Sequence, residues 1–172
     1  MSIAKLSQKK RFLRYFIPRN GFYKIQYEQM VKMKHSFEDK IYYADTDCYG
    51  VVWHGAYIKW VERSRTDFCN MFLDVQNIEK NGVIFPVVEL NLRYKASAKL
   101  FDEIIVETTL LEVKKTSLSF ETKIFCKNTG KLFVVATSTL VTTNLEGKLN
   151  RQIPEVIYKK LEEIKIQTIS VH

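Results

Sequence analysis

Hydrophobic and polar positions along the 172 residues change their period twice. Residues 35–43 read as a first strand, and Asp45, Thr46, Asp47 and Gly50 then interrupt it with loop chemistry. From about Val52 to Leu73 the spacing becomes helical. Tyr57, Val61, Ser64, Phe68 and Phe72 recur at i, i+4, i+7, i+11 and i+15, and Trp60 and Met71 widen the same stripe. The period then falls to two. In 87–94, Val88, Leu90, Leu92 and Tyr94 face one way and Glu89, Asn91 and Arg93 the other. Residues 104–113 are rich in β-branched side chains, and 118–126 set Leu118, Phe120, Ile124 and Cys126 against Ser119, Glu121 and Lys123. Asn128-Thr129-Gly130 is a hairpin signal, 132–144 reads as a long strand closed by Glu146-Gly147, and Pro154 opens a short helix over roughly 155–165. One strand, a long helix and four strands joined by tight turns predict an α+β domain. Its five-stranded antiparallel sheet wraps around the long helix, with a short C-terminal helix behind.

Length places these elements in one domain, 35–165, followed by a tail over 166–172. The charge is far from uniform. The chain carries 27 Lys/Arg and 19 Asp/Glu, a net charge of +8, yet nine of those bases and one acid, Glu28, lie between Met1 and Lys34. The remaining 18 bases and 18 acids cancel, so the body is neutral and lacks the basic face a nucleic-acid-binding core needs. The extension 1–34 reads as a disordered basic tail, or as an artefact of start-site choice with translation beginning at Met30 or Met33. A targeting peptide and a nucleic-acid or membrane-surface arm are the competing readings. No apolar run approaches the length of a transmembrane helix. Three cysteines, Cys48, Cys69 and Cys126, are odd in number and widely spaced, which argues against a disulfide framework and for a reducing, cytoplasmic setting.

Chemistry is densest in YADTDCYGVVWHGAYIKWVERSR, residues 43–65. A loop leaves the first strand and enters the long helix, whose N-terminus offers unpaired N–H groups and a partial positive charge. Such a place can hold a carbonyl oxygen and stabilise charge developing on it. Gly50 allows close approach to the backbone. Asp47, three residues earlier, supplies the carboxylate that acyl hydrolysis needs, as general base towards water or as nucleophile.

The run Tyr43-x-Asp45-Thr46-Asp47-x-x-Gly50-Val51-Val52-x-His54-x-x-Tyr57, with Glu62 and Arg65 beyond, resembles the signature of the 4-hydroxybenzoyl-CoA thioesterase family, and within it the YbgC-like acyl-CoA thioesterases. The resemblance covers about residues 35–165 and implies the hot-dog fold, an oligomer (homodimer or homotetramer) and an acyl-CoA or acyl-carrier-protein thioester as substrate. No cofactor or metal is implied, coenzyme A being part of the substrate. The resemblance makes Asp47 the catalytic carboxylate and places the carbonyl contact on a backbone N–H near Trp53 and His54. It gives His54 an orienting role and makes Gly50, Val51, Val52, Trp53 and Tyr57 substrate-binding. Glu62 is the reserve catalytic acid.

Plainer readings stand beside these. Asp45 and Thr46 suit strand termination and turn capping. Asp47 could cap the helix, and His54 could be a packed core histidine. Glu62 and Arg65, at i and i+3, could be an intrahelical ion pair. The acid and histidine spacing fits no zinc or calcium motif. A Cys48–His54 nucleophile pair leaves the Asp-Thr-Asp run unexplained. Arg63, Arg93, Lys95 and Lys99 are the bases available for substrate phosphates. The alternative function is a non-catalytic acyl-CoA-binding module on the same fold; an adaptor working through the basic extension is a third.

Overall fold

The computed structural model describes residues 34–160. The basic extension before Lys34, residues 161–165, over which the sequence predicts the short helix to continue, and the tail at 166–172 lie outside the described residues. The elements are β1 (Lys34–Lys40), α1 (His54–Leu73), α2 (Val75–Lys80), β2 (Val83–Ile84), β3 (Val87–Tyr94), β4 (Glu103–Val113), β5 (Ser117–Cys126), β6 (Leu132–Val141) and β7 (Thr143–Asn144). Residues 155–160 are helical. Five strands form one antiparallel sheet in the order β1-β4-β5-β6-β3, while β2 and β7 pair separately.

Registers carry the side chains facing α1 across the sheet in rows. Phe37, Val106, Ile124, Val134 and Tyr94 make one row, and His35, Thr108, Thr122, Ala136 and Leu92 the next. Leu110, Phe120, Ser138 and Leu90 make a third. α1 lies over β1, β4 and β5. It buries Ala56, Tyr57, Trp60, Val61, Ser64, Phe68, Cys69 and Leu73. The helix ends at Asp74, which adopts the left-handed conformation (φ 53°) and turns the chain into α2.

The core is divided in two. One cluster gathers around Tyr57, Trp60, Val61 and Val106, the other around Phe68, Leu73, Phe120 and Leu140. Between them the Thr108 hydroxyl donates to Ser64 Oγ at 2.8 Å and shares a 2.7 Å hydrogen bond with Thr122. All three residues are buried. The three hydroxyls satisfy one another, which makes a polar layer tolerable between helix and sheet. Thr108→Val removes the central partner and strands two hydroxyls. It is expected to cost about 1–3 kcal/mol, read from the urea midpoint at fixed protein concentration, whereas Thr139→Val on the opposite sheet face is expected to cost far less.

Several sequence expectations change in detail. β1 stops at Lys40 rather than Tyr43, because Tyr43–Asp45 turn into a single 3-10 turn in which Asp45 Oδ2 accepts the Tyr42 N–H at 3.1 Å. A local side-chain bond has outcompeted the ladder. The helix begins at His54, not Val52, since Val51 and Val52 are held extended by bridges to Lys99 and Thr46. Met71 does not widen the buried stripe; it is 64% exposed, whereas Cys69 and Leu73 turn inward. The strand expected over 132–144 breaks after Val141, and its end leaves the large sheet to pair with β2.

Candidate active site

The loop after the 3-10 turn folds back on itself. The Asp47 N–H donates to the Val51 carbonyl at 2.9 Å and the Gly50 N–H to the Asp47 carbonyl at 3.0 Å. Gly50 has φ 70°, a conformation that costs glycine nothing and other residues more. Thr46 bridges to Val52, and the Trp53 N–H donates to the Asp45 carbonyl at 3.1 Å. Asp45-Thr46-Asp47 therefore runs antiparallel beside Val51-Val52-Trp53, the segment that leads directly into α1. A second support comes from the loop before β4, where Val51 bridges Lys99 and the Val52 N–H donates to the Ala98 carbonyl at 3.0 Å.

Asp47 is exposed on this hairpin, opposite Val51. Its Oδ1 accepts the Tyr49 N–H at 2.8 Å. It does not cap the helix: the residue preceding α1 is Trp53, and no side chain bonds the helix start. The Trp53 N–H is used by Asp45, and the Ala56 N–H donates to the Trp53 carbonyl at 3.0 Å. The N–H groups of His54 and Gly55 have no partner among the described residues. The first turn of a twenty-residue helix thus presents two open amides and the positive end of its dipole.

Other sequence candidates separate around this point. His54 is exposed, with its ring edge-on to Trp53 at 5.6 Å. The Trp53 indole lies across Gly55, where an added Cβ would fall 1.9 Å from a ring carbon. Gly55 is therefore the residue that lets the indole cover the first helical turn. Val52 is buried. Tyr57 is a packing residue rather than an open wall: its ring is buried and its hydroxyl accepts the Ala98 N–H at 3.2 Å. Burial pushes its pKa up despite that hydrogen bond. Asp45 does structural work, holding the Tyr42 N–H and lying 3.9 Å from Lys59 Nζ. Glu62 is ion-paired to Arg65 on the same helix.

Among the bases considered for phosphate, Arg63 is committed elsewhere. It bonds Asp39 at 3.3 Å, lies 3.9 Å from Asp67 and stacks on Phe37. Lys99, tied to Val51, stands nearest the loop, and Arg93 and Lys95 are exposed. One neighbour escaped the sequence reading. Tyr94, at the end of β3, packs edge-on against Tyr57 and points its hydroxyl at the His54 carbonyl at 3.5 Å. Its inward face was readable from the strand alternation, but its place at the helix start depends on the β3–β6 register.

A five-stranded antiparallel sheet packed on one long helix, with an acidic loop at an uncapped helix start, defines a hot-dog domain of the thioesterase class. The chain belongs to the thioesterase-like superfamily, whose family model matches residues 43–161. It is similar to the acyl-CoA thioesterase YbgC of Haemophilus influenzae, at 38% identity over 117 residues, 59% of this chain and 86% of that one. A crystal structure of a DHNA-CoA thioesterase from Staphylococcus aureus superimposes with a TM-score of 0.65 at 26% identity, covering 80% of this chain and 93% of that one. Slr0204, a 1,4-dihydroxy-2-naphthoyl-CoA thioesterase from Synechocystis, shares the fold with a TM-score of 0.65 at 22% identity, covering 76% and 96%. No helix among the described residues is long and apolar enough to cross a membrane.

Proposed function

We propose that this chain hydrolyses acyl-CoA or acyl-carrier-protein thioesters to a free acid and a thiol, with Asp47 as the catalytic carboxylate. The observation that carries this is the pairing of two unpartnered amides, those of His54 and Gly55, with an exposed carboxylate on the hairpin leading into the same helix. The amides hold the thioester carbonyl oxygen. Asp47 takes a proton from water as the hydroxide adds to the carbonyl carbon, and the amides and helix dipole stabilise the oxyanion. Collapse breaks the carbon–sulfur bond, and the proton held by Asp47 passes to the departing thiolate. Direct attack by the carboxylate is the other course open to the same geometry. His54 orients water or thioester at the mouth, Gly50 and Val51 border the approach, and the Trp53 indole walls it.

A homodimer or homotetramer belongs to this reading. β3 is an edge strand, and it leaves Val88 at 59% and Tyr94 at 52% exposure, apolar surface of the kind an interface covers. A cytoplasmic location also belongs to it, supported by three free cysteines.

The test is a panel of acyl-CoAs of graded length, with release of free thiol as the readout. At least one member is expected to turn over with kcat near the enzyme median of about 10 per second. Saturable binding with every thioester recovered intact would instead identify a non-catalytic acyl-CoA-binding module.

A further inference from the structure

Gly55 stands in the first turn of α1, where backbone conformation does not call for a glycine. Its φ is not positive, and inside a helix a glycine costs stability relative to alanine. The space beside it explains the choice. A Cβ at this position would fall 1.9, 2.1 and 2.7 Å from three carbons of the six-membered ring of Trp53. The indole already fills the place of a side chain at 55.

That place matters for the site. In a helix each Cα–Cβ bond tilts towards the N-terminus, the direction in which the free N–H groups of the first turn also point. A Cβ lies about 2.5 Å from its own amide nitrogen. The nearest ring carbon is therefore within about 4.4 Å of the Gly55 nitrogen. A thioester oxygen accepting from that N–H at about 2.9 Å brings its carbonyl carbon and sulfur into the same neighbourhood.

The backbone beneath the ring is fixed. The Trp53 N–H donates to the Asp45 carbonyl at 3.1 Å, and the Trp53 carbonyl accepts the Ala56 N–H at 3.0 Å. The ring itself is held lightly. It is 39% exposed and belongs to neither core cluster, its N–H makes no hydrogen bond among the described residues, and its ring contact is with the adjacent His54. Trp60 is the contrast: it is buried, and its Nε1–H donates to Asp39 Oδ2 at 3.2 Å. Rotation about the side-chain bonds moves the Trp53 ring while the hairpin and the helix stay in place.

Building on the thioester-hydrolase reading, we propose that the Trp53 indole is a side-chain gate. At rest it closes over the His54 and Gly55 amides. A thioester carbonyl reaches them only after the ring has swung aside, where it walls the approach. Gly55 is the seat of the closed ring. Apparent affinity is lowered by the fraction of time the gate is shut, so a variant that cannot close binds more tightly.

Gly55→Ala is that variant, because its methyl group takes the seat. The probe is the ketone analogue of octanoyl-CoA, in which a methylene between sulfur and carbonyl keeps the oxygen and blocks hydrolysis. Calorimetry is expected to show Kd falling about threefold or more in Gly55→Ala. In a Trp53→Ala background the same substitution is expected to leave Kd within about a factor of two, since no ring remains to evict. A Kd that is unchanged or raised by Gly55→Ala overturns the gate. An equal fall in both backgrounds also overturns it, because the methyl group then acts on the ligand directly. Fluorine NMR of fluorotryptophan-labelled protein tests the seat itself, the chain having two tryptophans. The Trp53 line is expected to move in ligand-free Gly55→Ala while the Trp60 line stays; an unmoved Trp53 line overturns the proposal. Calorimetry needs no turnover. The expected pattern of Kd in a protein that hydrolyses no thioester keeps the gate and discards the hydrolase, whereas turnover with a Kd indifferent to Gly55→Ala does the reverse. No binding in any of the four proteins overturns both.

Discussion

Replacing Asp47 with asparagine is expected to lower kcat at least about a hundredfold on the best acyl-CoA, the contribution of a positioned general base. Circular dichroism, melting temperature and oligomeric state are expected to stay as in the wild type. The separation is clean because of what Asp47 does structurally. It is exposed, it does not cap α1, and the one hydrogen bond its side chain makes among the described residues is accepted by Oδ1 from the Tyr49 N–H. An asparagine carbonyl accepts that bond equally well. Only the charge and the proton-accepting oxygen are lost. Asp45 is the internal control, since its carboxylate faces the Tyr42 N–H and Lys59; Asp45→Asn is expected to act on stability more than on turnover. Undiminished turnover in Asp47→Asn would remove this carboxylate from the reaction. Glu62 would then be the acid to test, although its pairing with Arg65 already employs it.

The second large effect is structural. Phe68→Ala is expected to destabilise the fold by about 3–5 kcal/mol, the cost of deleting a fully buried aromatic ring. Phe68 has no exposed surface; its ring lies 5.3 Å from that of Phe120 and 4.6 Å from that of Phe72. It joins the long helix to the middle of the sheet inside the second core cluster. A loss of this size is a large share of ordinary domain stability, about 5–15 kcal/mol. Guanidinium titration at constant protein concentration measures it, because any oligomer makes the midpoint concentration-dependent. Phe72→Ala is expected to cost much less, since that ring is half-buried. Equal losses from the two would mean that the helix stripe is not anchored at Phe68.

Much of the architecture was legible because each large element repeats its signal. The stripe from Tyr57 to Phe68 spans three helical turns, and β4, β5 and β6 are each ten or more residues long with burial that alternates over runs of seven or eight, long enough for the period to dominate local exceptions. Where elements are short the period has no room. α2 has six residues and β2 two, and nothing in 75–84 repeats often enough to be read. Met71 went astray for a related reason. Near a helix end the buried face is set by what it packs against, and the α1–α2 junction draws Cys69 and Leu73 inward instead.

The site divides along the same line. The order Asp47, Gly50, His54 is a local fact, and the sequence by itself determined that an acidic turn would precede a long helix, because turn chemistry and helical spacing act over a few residues. Which amides at that helix start remain open, and whether Asp47 or Trp53 occupies the cap, depended on the hairpin that pairs Thr46 with Val52 and on the bridges from Ala98 and Lys99, some fifty residues away. The arrival of Tyr94 beside His54 likewise needed the β3–β6 register. Only the tertiary structure could decide these, because hydrogen-bond donors and apolar faces are claimed by whichever partners folding brings near, and those partners are distant in the chain.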